Sequence, residues 1–362
     1  MEGIRRSEGL DRRAILGRTE HRRNQMLMVI FGAGASYDSI PTYPPNISHI
    51  HRMPLANQLF DNRGDFADAM QRFPKCLPII PYLRKPGISI ERELQSLQAE
   101  AKEYPERNRQ LAAIRYYLQF MLWECEYHWN QVAKGITNQA TLLDQIERWR
   151  KADEQVCLVT FNYDQMLEDA LRKTIGMKIQ TFPDYIGHNH YKLFKLHGSV
   201  NWSREVETSL DNIQSKNGWA IAHELIDRVN EIRVSPKYQM VTERPVGANG
   251  TTALFPAIAI PVEDKLEYEC PEEHLEVLHK FIPEVDKILI IGWRATEQPF
   301  LQLLASNLKR EVRGLVVTKD LNESTETIER LEQVGISGEY SPTGGGFTDF
   351  VVSREADKFL KY

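Results

Sequence analysis

Six apolar residues, Met26 to Phe31, run without interruption into Gly32-Ala33-Gly34-Ala35-Ser36. An apolar run of that length, halted by a loop of small residues, is how a buried parallel strand enters a turn. The first strand is expected over about Leu27–Phe31. The same form returns as VCLVTF, YKLFKLHGSVNW, ALFPAIAIPV, KILIIGW and GLVVTKD. Amphipathic helical stretches separate several of these runs. Met166, Leu167, Ala170 and Leu171 share one face after the second run; QPFLQLLASNL follows KILIIGW, and ESTETIERLEQV follows GLVVTKD. Short strands alternating with such helices predict an α/β chain with a Rossmann-like, doubly wound parallel sheet.

The remaining segments are read as additions to that frame. Residues 1–25 carry seven arginines, four acids and almost no apolar periodicity, which describes a flexible arm. One catalytic domain is expected over 26–362. Pro41, Pro44, Pro45 and Pro54 make the stretch after the first turn a long loop. From about 55 to 150, Leu94, Leu97, Leu111, Ile114, Leu118, Met121, Leu142, Leu143, Ile146 and Trp149 recur at spacings of three and four, the pattern of a helical insertion. Residues 203–250 read as a second, irregular insertion. With 45 basic and 50 acidic residues the net charge is −5, so nucleic acid is expected to be met only indirectly. No apolar run is long enough to span a bilayer, and no secretory signal is evident, so a cytoplasmic location is expected. Cys76, Cys125, Cys157 and Cys270 are single and widely spaced, which predicts no metal site.

In an open parallel sheet, ligands bind beyond the carboxyl ends of the strands. Four strand ends are therefore informative. Gly32, Ala33, Gly34 and Ser36 either admit a pyrophosphate to the backbone or make a plain tight turn. The third glycine of a dehydrogenase fingerprint falls on Tyr37. Asn162 and Asp164, in TFNYD, either cap the next helix or position a neutral amide and a developing ribose cation. His197, before Gly198, is a structural hydrogen-bonder or a proton acceptor. Gly292 again permits close approach, and Arg294 pairs with phosphate or lies on the surface.

In the order GAGAS, IP, TFNYD, LHGS and IIGW, the chain resembles the NAD-binding core of the sirtuin family. The resemblance implies that Gly32, Ala33, Gly34 and Ser36 contact the phosphates, and that Ile40 and Pro41 line the nicotinamide side. It further implies that Asn162 and Asp164 hold the carboxamide and ribose, with His197 as catalytic base. Gly292 and the end of the next strand, Thr318 to Asp320, would lie along the adenosine half, and Trp293 and Arg294 are expected to bind NAD as well. Protein-deacylating sirtuins carry a zinc ribbon with two C-x-x-C pairs and read QNID where this chain has FNYD. What remains is similar to the sirtuin-like NAD hydrolases of bacterial antiphage defence. NAD is then substrate, cleaved at the nicotinamide–ribose bond, and no metal is expected.

The same likeness implies a homo-oligomer restrained by a separate partner, a HerA-type hexameric ATPase or alternatively a short Argonaute protein. No sensor domain is evident in the sequence, which is why a separate partner is expected. Two other functions stay open at this point: a non-catalytic subunit that binds NAD or ADP-ribose for assembly, and an NAD-dependent protein deacylase.

Overall fold

The structure is a computed structural model that describes residues 26–242, 247–262 and 267–361; the expected N-terminal arm lies outside the described residues. Strand β1 (Met26–Phe31) is buried at every position and passes through Gly32 into the short helix α1 (Ala33–Tyr37). A long loop leads to α2 (Asp65–Arg72), α3 (Ile80–Leu83), α4 (Ile90–Glu100), α5 (Pro105–Ala133) and α6 (Asn138–Trp149). Next come β2 (Gln155–Thr160), α7 (Met166–Ile175), α8 (Phe182–Gly187) and β3 (Tyr191–Lys195). A compact run of β4 (Gly198–Val206), α9 (Gly218–Asp227), β5 (Val234–Met240), β6 (Ala248–Asn249) and β7 (Thr252–Ile258) follows. The chain then returns through α10 (Glu272–Phe281), β8 (Lys287–Ile291), α11 (Gln298–Asn307) and β9 (Val312–Val317). It closes with α12 (Leu321–Gln333), β10 (Gly338–Thr343), α13 (Gly346–Val352) and α14 (Glu355–Lys361).

The main sheet has six strands in the order β10-β9-β8-β1-β2-β3, all parallel. Counted along the chain this is 3-2-1-4-5-6, the doubly wound order with its switch point between β1 and β8. Crossovers leave β1 in opposite directions, so right-handed connections place helices on both faces. The expected α/β fold is therefore the observed one. Register fixes where the turns fall. Phe31 pairs with both Thr160 and Ile291, Thr160 with Lys195, and Ile291 with Val317. Thr343 pairs with Val317 in turn, so all six strands end level, and the segments that follow them meet along one edge.

A second core surrounds α5. This 29-residue helix starts on Pro105, whose missing N–H costs nothing there, and stops at Lys134 and Gly135, both at positive φ. It is buried on nearly all sides because α2, α4 and α9 pack around it and a four-stranded sheet, β5-β4-β7-β6, covers it. Three readings of the sequence change here. ALFPAIAIPV is no part of the parallel sheet: β7 pairs antiparallel with β4. Residues 203–250 are regular in large part, since α9, β5 and β6 complete that small sheet and its cover. The helical insertion also ends before α6, whose Leu142, Leu143 and Ile146 pack in the core of the main sheet.

A tight backbone approach lies at the switch point of the main sheet. Gly292 has φ of +59°, and a Cβ there would sit 2.5 Å from the Ala35 nitrogen. Gly292→Ala is therefore expected to lower stability by about 2–4 kcal/mol, from overpacking and left-handed strain together. Gly187→Ala, where a Cβ meets nothing within 4 Å, should be neutral. Denaturant melts of the two variants check this; equal stabilities would contradict it.

Candidate functional site

The loops after β1 and β8 are built against each other. Gly32 N donates to Ile291 O at 3.0 Å and Gly34 N to Gly292 O at 3.1 Å. A Cβ on Gly32 would come within 2.4 Å of Gly292 O, and one on Gly34 within 2.8 Å of Gly292 Cα. These glycines therefore have a definite structural use, which is letting two strand-end loops touch. The amides of Gly32 and Gly34 point at β8 rather than into open space. Beside this contact opens a cleft of about 980 Å³, at the upper end of the range of ligand sites. Gly32, Ala33, Gly34, Ser36, Gly292 and Trp293 form its floor, together with Asn162 and His197 from the other strand ends.

The turn after β2 is held by side chains on both sides. Asn162 Nδ2 donates to Gly32 O and to Ser36 Oγ, each at 2.8 Å. Ser36 Oγ in turn donates to Asp164 Oδ2 at 2.5 Å. Asp164 Oδ1 accepts from Met166 N at 3.2 Å, so this carboxylate also caps α7. With both Nδ2 hydrogens committed, the amide oxygen is what Asn162 has to offer a ligand. Ser36, expected at the phosphates, instead has its hydroxyl locked between Asn162 and Asp164.

Beneath the turn lies a buried cation. Lys195 has no exposed side-chain surface; its Nζ donates to the backbone oxygen of Asp164 and pairs with Glu168 at 2.9 Å. Tyr185 OH donates to the same Glu168 at 3.0 Å, and Trp202 Nε1 to Tyr185 OH at 3.1 Å. Tyr163 is tied through Val200 N to its carbonyl at 2.9 Å, and through its hydroxyl to Ala259 O at 2.8 Å. The turn thus has little freedom to relax when a ligand arrives.

His197 lies between β3 and β4, buried, with its ring 4.9 Å from Phe161. Phe161 stacks on Trp293 at 5.4 Å, and the Trp293 indole donates to the Glu297 carboxylate. Asn162, Asp164, His197 and Trp293 therefore all line one cleft, with His197 and Trp293 on either side of Phe161. At the β9 end, Thr318 lines the cleft, yet its hydroxyl is taken by Asp320 O at 2.6 Å and by Ser324 Oγ at 2.9 Å. Asp320 caps α12 through Glu323 N at 3.0 Å and does not reach the cleft wall. Arg294 stands at the rim, exposed, 3.7 Å from Glu323.

Nor does the structure bring Ile40 or Pro41 to the cleft wall. The reason is Arg52. Its buried guanidinium donates to Tyr37 O at 2.6 Å, Tyr43 O and Ile47 O at 2.7 Å, and Pro44 O at 3.0 Å. Gathering the loop around one cation turns Ile40 inward to the α5 core and presents Pro45, Met53 and Pro54 to the cleft instead. Asp38, also on the wall, accepts from Thr348 N at 3.0 Å and Thr348 Oγ1 at 2.5 Å. Burial pushes its carboxyl above the ordinary range, and those Thr348 bonds oppose the shift.

The opposite wall comes from the helical insertion. Leu55, Ala56 and Asn57, then Ser89, Glu91 and Arg92 at the start of α4, face the strand ends across the cleft. Sequence reading missed all of these; only the Ser89 cap, which accepts from Arg92 N at 3.3 Å, leaves a local signature. Among the described residues, no group of three or more His, Cys, Asp or Glu could hold a metal ion. All four cysteines are buried free thiols. No helix among the described residues is long and apolar enough to cross a membrane.

The sequence model of one family, described as the SIR2-like domain, matches residues 156–239. That segment holds β2, the Asn162–Asp164 turn, β3 and His197. No curated protein matches the chain. Among solved structures, the chain is similar to a Sir2 homologue in complex with NAD, at 18% identity over 92% of this chain and 90% of that one, with a TM-score of 0.40. It is similar also to a mutant Sir2 homologue in complex with 2'-O-acetyl ADP ribose, at 16% identity over 92% and 93%, with a TM-score of 0.42. Both likenesses are distant, and the fold assignment rests on the strand order of this chain itself.

Proposed function

We propose that the cleft binds NAD as substrate and hydrolyses its nicotinamide–ribose bond, giving nicotinamide and ADP-ribose. The observation that carries this reading is the convergence of Asn162, Asp164 and His197 on one cleft at the switch point of a doubly wound sheet. The match of the SIR2-like domain to the segment that contains all three residues supports it.

Each residue then has a task set by its geometry. The Asn162 amide, oriented by Gly32 O and Ser36, offers its oxygen to the substrate carboxamide or to the attacking water. As the C–N bond breaks, its electron pair leaves with nicotinamide and positive charge develops on the ribose. The Asp164 carboxylate, fixed by Ser36, lies where it lowers the energy of that charge. Water adds to the ribose carbon and His197 accepts its proton, so NAD+ and water give nicotinamide, ADP-ribose and a proton. The aromatic patch of Phe161 and Trp293 keeps bulk water from the same face.

An NAD hydrolase without restraint would drain its own cell. We further propose that this chain serves antiphage defence as an NAD-depleting effector, working as a homo-oligomer held in check by a separate protein. A HerA-type hexameric ATPase is preferred over a short Argonaute protein as that partner.

Asn162→Ala and His197→Ala are each expected to slow nicotinamide release by about a hundredfold or more while the melting curve stays cooperative. Chromatography of nicotinamide and ADP-ribose, with and without an acylated peptide, provides the measurement. Full activity in both variants would sink these roles, and turnover that requires the peptide would replace hydrolysis with deacylation. Size-exclusion chromatography coupled to the same assay is expected to place activity with an assembly; an active, solitary monomer would refute the proposed control.

A further inference from the structure

Glu126 belongs to α5, in the helical insertion, and is buried behind the cleft wall rather than on it. Its Oε1 accepts a hydrogen bond from the backbone N–H of Gln165 at 2.9 Å. Gln165 closes the turn that carries Asn162 and Asp164, and it is the residue before the first turn of α7. The insertion is thereby bonded directly to the segment whose geometry the proposed reaction requires.

Charge around this group is unbalanced. Asp164 on the turn, Glu168 on α7 and Lys195 on β3 face Glu126. Lys195 is the cation among them, and it already serves Glu168 and the Asp164 carbonyl. A charge on Glu126 would be buried beside two other carboxyl groups and one lysine that is already engaged, and a buried group in that position keeps its proton. Burial pushes the Glu126 carboxyl well above the usual range; Asp164 adds to the shift, Lys195 and the Gln165 amide oppose it, and Glu168 adds a little more.

We propose that Glu126 is a positioning residue, a neutral carboxylic acid through which the helical insertion sets the geometry of the Asn162–Asp164 turn. The catalytic consequence rests on the reading of this cleft as an NAD hydrolase; the structural consequence does not. A shift of α5 along its axis then moves the turn as well, because the Glu126 to Gln165 bond joins the two directly.

The full chain is compared with Glu126→Gln, which keeps the acceptor and cannot ionise, and Glu126→Met, which keeps the bulk and removes the acceptor. Amide hydrogen exchange over 162–167 and nicotinamide release are the first two readouts. Glu126→Met is expected to lose protection in that turn and at least roughly tenfold in turnover, with Glu126→Gln close to the native chain in both. The third readout is thermal stability across about pH 5 to 9.

A group whose folded pKa is raised contributes stability that is present below its unfolded value, near 4.5, and is lost as pH rises toward the folded value. The advantage of Glu126→Gln over the native chain should therefore grow with pH. A constant difference, or damage in Glu126→Gln equal to that in Glu126→Met, would overturn the neutral-acid assignment. Unchanged turn protection in Glu126→Met would overturn the positioning role. If Glu126→Met does not fold, the pH series on Glu126→Gln still decides the protonation state, and exchange of the Gln165 amide in the native chain still decides the role: slow exchange is expected, and exchange as fast as that of an open loop would overturn it. Absence of turnover in every form, the native chain included, would count against the hydrolase reading and leave the exchange and melting results to decide Glu126.

Discussion

The contact of Gly32 and Gly34 with Gly292 is the constraint on which the remainder of the site depends. At the switch point of a doubly wound sheet, neighbouring strands send their chains to opposite faces, and a crevice opens between them. How closely the two departing loops approach sets its width. Here the loops touch through backbone alone, with Gly34 N bonded to Gly292 O at 3.1 Å. Any side chain at these three positions would wedge the loops apart. Because Asn162 is bonded to Gly32 O, the turn after β2 would move with them. One steric requirement between β1 and β8 thereby reaches the polar groups at the end of β2.

A second constraint is electrostatic. The polar groups near the site are mostly enclosed, and each is useful only if its neighbours hold it. Asn162, Ser36 and Asp164 satisfy one another in a chain that ends at the start of α7. Lys195 anchors that chain from below through a carbonyl rather than through the Asp164 carboxylate. This arrangement leaves the Asp164 carboxylate to Ser36 and to the cleft while the positive charge is answered by Glu168.

The parallel sheet was legible in the sequence because a strand buried on both faces must be apolar throughout, and Met26–Phe31, Val156–Val159 and Ile288–Ile291 are. The turns that matter were legible for the same reason: each run ends abruptly on a small or polar residue. ALFPAIAIPV was misplaced because burial and not strand direction makes a run apolar, and β7 is buried between β4 and α5 as thoroughly as any central strand. The small sheet around it was hidden because β5 is half exposed and carries Pro236 and Lys237, the composition of an edge. The inward turn of Ile40 was not legible at all. It follows from Arg52 collecting four carbonyl oxygens of one loop, a contact that no local pattern announces.

The wall opposite the strand ends was the larger omission, and its origin bears on how the cleft works. A doubly wound sheet supplies one side of a ligand site; the other side must come from something inserted between strands. In this chain the insertion lies between β1 and α6 and packs around α5 in a core that it shares with the small sheet. It lines the cleft with Glu91 and Arg92 from α4, and it is bonded to the Asn162–Asp164 turn through Glu126. Both grips belong to one packed body, because α4 packs directly on α5. The cleft wall at α4 and the Gln165 end of the turn are therefore two contacts of the same packed helices.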